Sequence, residues 1–235
     1  MKYDLIITAA PKDIYKIPYC LESTRKYFSI QPENTFIVCP YKTKILGTTH
    51  IGDEWATPFN KNAIKFNRPG WVFQQLIKLF PIFIKNDYYF VTDSDVIFNK
   101  PLVIEPAFWI SDREQHHQPY FTFMEHFGIQ KVVNYTFIND FMLFDKNICQ
   151  EMTGPPLGFF DKMNRILSDD CFPAEFEMYG NYVMNKYPSL YKKIQHKVET
   201  HGVFYPSNWE QAEIEKLIQN NKDKDINLFT IHTWT

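Results

Sequence analysis

Two carboxylates stand two residues apart at Asp93-Ser94-Asp95, inside the run Tyr88-Tyr89-Phe90-Val91-Thr92-Asp93-Ser94-Asp95-Val96-Ile97-Phe98. Side chains two apart on extended backbone point the same way. Such a pair crowds like charge together unless a cation neutralises it. Carboxylate oxygens are hard ligands suited to Mg²⁺ or Mn²⁺, and an ion held there could in turn clamp a pyrophosphate. Asp and Ser are also ordinary turn residues, so a bare triplet of this kind reads as a surface turn. Here apolar runs flank it on both sides, which argues for the end of a buried strand.

Other segments carry polar residues where chemistry could use them. Thr8-Ala9-Ala10-Pro11-Lys12-Asp13 closes a first apolar run. Small Ala9 and Ala10 would let a ring approach the backbone, and Asp13 could accept hydrogen bonds, although the same residues suit a plain strand-to-helix turn. Arg68 and Lys78 could offset phosphate charge, Arg68 as a fork. Gln74, Gln75 and Lys78 fall together on what reads as the polar face of a helix, and Trp71 reads as core. Asn139-Asp140 precedes Phe141-Met142-Leu143-Phe144, and an amide beside a carboxylate matches hydroxyl donors and acceptors.

Glu175 and Glu177 open another helical stretch, where the helix dipole favours carboxylates whatever their function. About 200° separates residues two apart on a helix, so only one of them can face a given cleft. Glu177 lies three before Gly180, whose missing side chain would leave room for a bound sugar. That makes Glu177 the expected proton acceptor and Glu175 a positioning or structural residue.

The elements that must position these residues follow from hydrophobic period and breakers. Strands are expected at Tyr3–Ala9, Thr35–Cys39, Tyr88–Thr92, Tyr120–Met124, Phe137–Phe144 and Asn227–Ile231. Helices are expected around Tyr19–Tyr27, over Gly70–Phe80 with Pro81 as stop, and at Phe159–Leu167, Ala174–Tyr187 and Trp209–Asn220. Residues 40–70 form a long polar, turn-rich connection, and loops of that length are usually functional. The order predicts a three-layer α/β/α domain with a mixed, mostly parallel sheet. Ligands in such sheets collect beyond the carboxyl ends of the strands. Thr8–Asp13 and Thr92–Asp95 are the two candidate strand ends.

Bulk composition narrows the classes. With 45% hydrophobic and 17% aromatic residues the chain can bury a sizeable core, which excludes a disordered segment. A net charge of −2 with both signs interspersed gives no footprint for nucleic acid. Cys20, Cys39, Cys149 and Cys171 have no zinc spacing and read as reduced thiols. No apolar run approaches 18 residues, so no transmembrane segment is expected. The opening residues are interrupted too soon for a signal peptide, and a cytoplasmic location is expected.

The segment Tyr89–Phe98 resembles the DxD segment of glycosyltransferases with the A-type, nucleotide-diphosphosugar-transferase fold. Three more blocks resemble a less-studied branch of that superfamily, in the expected order. They are Gly70-Trp71 with Gln74-Gln75-Leu76 and Lys78-Leu79, Asn139–Lys146, and Glu175–Tyr182. The resemblance implies a single glycosyltransferase domain over 1–235, with a nucleotide-binding half to about residue 100 and a sugar and acceptor half beyond it. It implies a nucleotide-diphosphate sugar as donor, a glycan or small-molecule acceptor, and Mn²⁺ or Mg²⁺ as cofactor.

Carried over residue by residue, the likeness gives Thr8, Ala9, Ala10, Lys12 and Asp13 the base and ribose. Arg68, Gln74, Gln75, Lys78, Asp93, Ser94, Asn139 and Asp140 would contact the rest of the donor. The metal would be held by Asp93, Asp95 and His232, since several such enzymes take a third ligand from a C-terminal histidine. His116, His117, His126, His196 and His201 show no ligand spacing. Rival readings are a sugar nucleotidyltransferase, which would need a Gly-rich basic loop that Thr8–Asp13 lacks, and a DxD phosphatase, whose nucleophile would sit on the first strand. A carbohydrate-binding protein without turnover is the non-enzyme alternative.

Overall fold

In the computed structural model, which describes residues 1–110, 117–204 and 207–234, the apolar runs become strands linked by helices. The first half contains β1 (Tyr3–Thr8), α1 (Ile17–Tyr27), β2 (Asn34–Val38), β3 (Thr49–Ile51), α2 (Asp53–Ala56), α3 (Pro69–Leu79), β4 (Tyr88–Asp93) and β5 (Val96–Phe98). Next come β6 (Ala107–Ile110), α4 (Gln118–His126), β7 (Phe141–Asp145), α5 (Lys146–Thr153), α6 (Pro156–Ile166) and α7 (Glu175–Lys186). The chain closes with β8 (Lys192–Gln195), β9 (Val198–Phe204), α8 (Gln211–Asn221) and β10 (Leu228–Trp234).

The central sheet runs β3-β2-β1-β4-β7, parallel except for β7 against β4. Its strands are buried on both faces, as their near-continuous apolar sequences require. Ile6, Tyr89, Val91, Met142 and Phe144 point to one side and pack with α3, α5, α6 and α7. Leu5, Ile7, Phe90, Phe141 and Leu143 point to the other, against α1 and a second sheet of order β5-β10-β9. A two-stranded pair, β6 with β8, completes the strands. The fold is Rossmann-like α/β with mixed, mostly parallel sheets, as expected. On the α1 side the outer layer is shared between helix and small sheet.

Local chemistry sets the helix ends. Pro69 occupies the first turn of α3, where its missing N–H costs nothing, and Pro81 follows the last turn. Asp145 caps α5 through its side chain to the Asn147 and Ile148 amides, and Gly154 leaves it with φ +66°.

Three element expectations are corrected. Tyr120–Met124 lies within helix α4, with Phe123 and Met124 buried and Phe127 packed one turn on. A short apolar run is ambiguous between helix and strand, and Pro119 in the first turn decides for helix. The expected strand Phe137–Phe144 begins only at Phe141, because the Phe137 amide is taken by Glu177 and the Asp140 amide by the Asn139 side chain. The connection 40–70 holds β3 and α2. The last strand extends past Ile231 to Trp234. His116 and Thr235 lie outside the described residues. All four cysteines are buried and free. Among the described residues no helix is long and apolar enough to cross a membrane.

Candidate functional site

β1 and β4 lie side by side and parallel, with Thr8 opposite Asp93. Successive connections leave this pair in opposite directions, toward β2 on one side and toward β7 on the other. The carboxyl ends therefore open into a crevice, where such sheets bind ligands. The Ser94 amide donates to the Thr8 carbonyl at 2.9 Å, which carries the ladder one residue past the strand. The chain then turns into β5, which pairs antiparallel with β10. The Ile231 amide donates to the Asp95 carbonyl at 2.9 Å and brings His232 to the triplet from 137 residues away. The resulting cleft is about 630 Å³. Thr8 to Asp13, Arg68, Gln74, Asp93, Ser94, Asp95 and His232 all line it.

Each carboxylate of the triplet meets a cation of the protein itself. Asp93 Oδ1 accepts from Thr8 Oγ1 at 2.7 Å, from Gln74 Nε2 at 3.0 Å and from Lys78 Nζ at 3.1 Å. Asp95 Oδ2 lies 2.7 Å from His232 Nδ1. Burial opposes ionisation of Asp95, but the His232 hydrogen bond and charge prevail and hold its carboxyl below the usual range. Burial likewise pulls the His232 imidazole down, and Asp95 more than offsets this, so its pKa is raised.

The first loop is fastened to the last strand by two lysines. Lys16, with no exposed side-chain surface, donates to Asp13 Oδ1 and the Ile231 carbonyl, each at 2.6 Å, and to Thr233 Oγ1 at 3.0 Å. Lys12 donates to the Thr233 carbonyl. Burial raises the Asp13 pKa despite the neighbouring Lys16. Trp209 Nε1 donates to the His232 carbonyl at 3.0 Å, so the backbone carrying the imidazole is held as well.

Several expected site residues do other work. Gln75 and Lys78 are buried inside α3's contact with α7 rather than on a polar outer face, and neither lines the cleft. Asn139 donates to the Trp109 carbonyl at 2.9 Å and accepts from the Asp140 amide, so its amide shapes the turn into β7. Asp140 lies close enough to His232 to favour the imidazolium.

The geometry expected of Glu177 is not found. Its carboxylate is enclosed and accepts from the Phe137 amide at 2.7 Å, Asn181 Nδ2 at 2.8 Å, Lys131 Nζ at 3.1 Å and the Thr136 hydroxyl. Gly180 leaves no room for a sugar, because a Cβ there would stand 2.2 Å from the Phe137 ring. Glu175 is the carboxylate that faces the cleft side, through an ion pair with Lys78 at 2.9 Å.

The sequence reading did not single out Tyr41, Asp53 and Lys61, which line the cleft, or Trp71 as a lining residue. Trp71 is half-buried, with the Arg68 guanidinium 5.3 Å from its ring centre. The signal available for the first three was the length and polarity of the connection 40–70.

A divalent ion can be tested against the residues present. Two carboxylates and an imidazole are a suitable donor set for Mn²⁺. Adjacent ligand atoms on an ion bonded at about 2.1 Å lie roughly 3 Å apart, and Asp95 Oδ2 and His232 Nδ1 are 2.7 Å apart. These two fit an ion after a small displacement. Asp93 does not fit as a third ligand in this arrangement, since its Oδ1 already takes three donors. Among the described residues no group of three or more His, Cys, Asp or Glu side chains forms a ready metal cluster.

Residues 19–122 match the profile of a family of unknown function, DUF6492. The matched stretch contains α3 and the Asp93-Ser94-Asp95 triplet and ends before β7 and β10. No curated protein matches the chain.

Proposed function

We propose that this protein is a metal-assisted glycosyltransferase whose cleft takes a nucleotide-diphosphate sugar and transfers the sugar to a hydroxyl of a glycan or small molecule. The observation that carries the reading is convergence. The first loop, the Asp-Ser-Asp triplet, Arg68 and His232 are far apart in sequence, yet all line one cleft at the carboxyl ends of β1 and β4. Its residue types sort along that cleft as an extended donor would require. Ala9 and Ala10 leave the backbone approachable by a flat ring, and Arg68 and Lys12 supply positive charge for phosphate oxygens. Thr8, Gln74 and Asp93 form a hydrogen-bonding wall suited to sugar hydroxyls.

Asp95 and His232 would hold the Mn²⁺ or Mg²⁺. Such an ion, when bound, offsets negative charge on the departing nucleoside diphosphate. Gln74 and Thr8 keep Asp93 oriented at the wall, and the two lysines of the first loop keep β10, and with it His232, against the triplet.

Calorimetric titration of UDP and GDP into the protein, with and without Mn²⁺, tests this. One nucleotide should bind at least tenfold tighter with the ion, and Asp95→Asn should abolish that gain while leaving the thermal midpoint within a few degrees. Equal affinity under all conditions defeats the proposal. Release of pyrophosphate instead of a nucleoside diphosphate on turnover would reassign the protein to the nucleotidyltransferases.

A further inference from the structure

Lys78 sits on the face of α3 that the polar pattern assigns to solvent, yet its side chain is 3% exposed. Its ammonium lies 3.1 Å from Asp93 Oδ1, 2.9 Å from Glu175 Oε1 and 4.7 Å from the centre of the Phe176 ring. A charge taken out of water is costly unless it is paired, and here two carboxylates from different elements pair it. Glu175, itself 4% exposed, opens α7. The Gln75 side chain faces both of its oxygens, which fixes the amide with its nitrogen toward the carboxylate. Gln75, Glu175, Lys78 and Asp93 therefore form a continuous buried chain from α7 through α3 to the end of β4.

The chain ends at a carboxylate whose two oxygens differ. Asp93 Oδ1 takes three donors, whereas Oδ2 has Lys78 Nζ at 3.4 Å. The Asp93 side chain is 31% exposed, on the cleft wall. With Glu175 present, Lys78 is shared and stands back from Oδ2. With Glu175 neutral, the ammonium has one anionic partner left and is drawn onto Asp93, where it would occupy the oxygen that a ligand needs.

We propose that Glu175 and Lys78 are positioning residues for this site, with Glu175 drawing the Lys78 ammonium away from Asp93 Oδ2 so that this oxygen stays open to a ligand hydroxyl. The identity of that ligand rests on the nucleotide-sugar reading, while the geometric claim does not. Neither residue touches the cleft, so both act through Asp93.

Two measurements on wild type and Glu175→Gln separate the claims. Crystal structures of both should show the Lys78–Asp93 Oδ2 contact shorten in the variant, with α7 unmoved. Calorimetry with UDP, UDP-glucose, GDP and GDP-mannose in Mn²⁺ should show bare nucleotide affinity within twofold of wild type. The extra affinity conferred by the sugar should fall roughly tenfold, the size of one hydrogen bond to a charged group. Glu175→Asp, which keeps the charge, should recover part of that loss. It replaces the Gln variant in both measurements if the latter does not fold. An unchanged Lys78–Asp93 contact, or equal loss of nucleotide and nucleotide-sugar binding, overturns the positioning role. Absence of any nucleotide binding by wild type defeats the proposed function instead, and the pair of crystal structures still decides the positioning role.

Discussion

Glu177 shows how residue type alone misleads. An acidic side chain beside a glycine suggested an open, reactive carboxylate, yet it is a fully buried acceptor that gathers the segment 131–137 onto α7. Its donors include a backbone amide and an ammonium, so replacing one oxygen by NH₂ sets a donor against donors. Glu177→Gln is therefore expected to destabilise the fold by about 2–4 kcal/mol, seen as a lower urea midpoint, with nucleotide affinity little changed in the folded fraction. An unchanged midpoint accompanied by loss of transfer would return Glu177 to the role of acceptor base. Asp93 and Asp95 carry the complementary lesson. Their like charges are met by Lys78 and His232, and only the imidazole among these cations readily exchanges a proton for a metal ion.

At the scale of elements, the packing of α7 against the segment before β7 depends on Gly180. The Phe137 ring fills the space where a side chain would start, and the ring also meets Phe108 edge-on at 4.8 Å. Gly180→Ala must displace that ring from a closed core, at a cost of about 1–3 kcal/mol, despite the better helix propensity of alanine. A thermal melt at or above the wild-type midpoint would show that Phe137 can move freely.

Strands were legible because their apolar runs are buried on both faces, and β1 and β4 fall where the runs at Tyr3–Ala9 and Tyr88–Thr92 predict. The buried charge on α3 was not. Gln75 and Lys78 follow a helical polar period, and no local pattern tells a polar face turned to water from one turned to another helix's carboxylate. Likewise, the triplet and the first loop could be picked out as strand ends. The exclusion of Asn139 from the cleft wall depends on where the Trp109 carbonyl lies, which is a tertiary fact.

Across the whole molecule the two ends of the sheet are specialised differently. The carboxyl end is open and holds the cleft. Near the start of β1 the end is clamped by Asp4, which is wholly buried. Its carboxylate accepts from the Lys85 amide at 2.6 Å, the Asn86 amide at 3.0 Å, Asn86 Nδ2 at 2.8 Å and Asn34 Nδ2 at 2.7 Å. This ties β1 and β2 to the approach of β4, and thereby sets the register that puts Thr8 opposite Asp93. Asp4→Ala should cost about 3 kcal/mol in urea unfolding and leave the ion requirement of any nucleotide binding intact. A loss under about 0.5 kcal/mol would mean that strand pairing alone holds the register.

The lysine fastening between the first loop and β10 has a consequence for biosynthesis. Lys12 and Lys16 are made early, but the carbonyls and hydroxyl they hold belong to Ile231 and Thr233. Until those residues leave the ribosome, the ammonium of Lys16 has no strand to bind and Asp95 has no imidazole beside it. Domains fold largely as units as they emerge, so the central sheet can assemble while the ion site is still missing a wall. A nascent or prematurely terminated chain would then carry a near-complete sheet that cannot grip a nucleotide, and ligand binding would begin only with the closing stretch of translation.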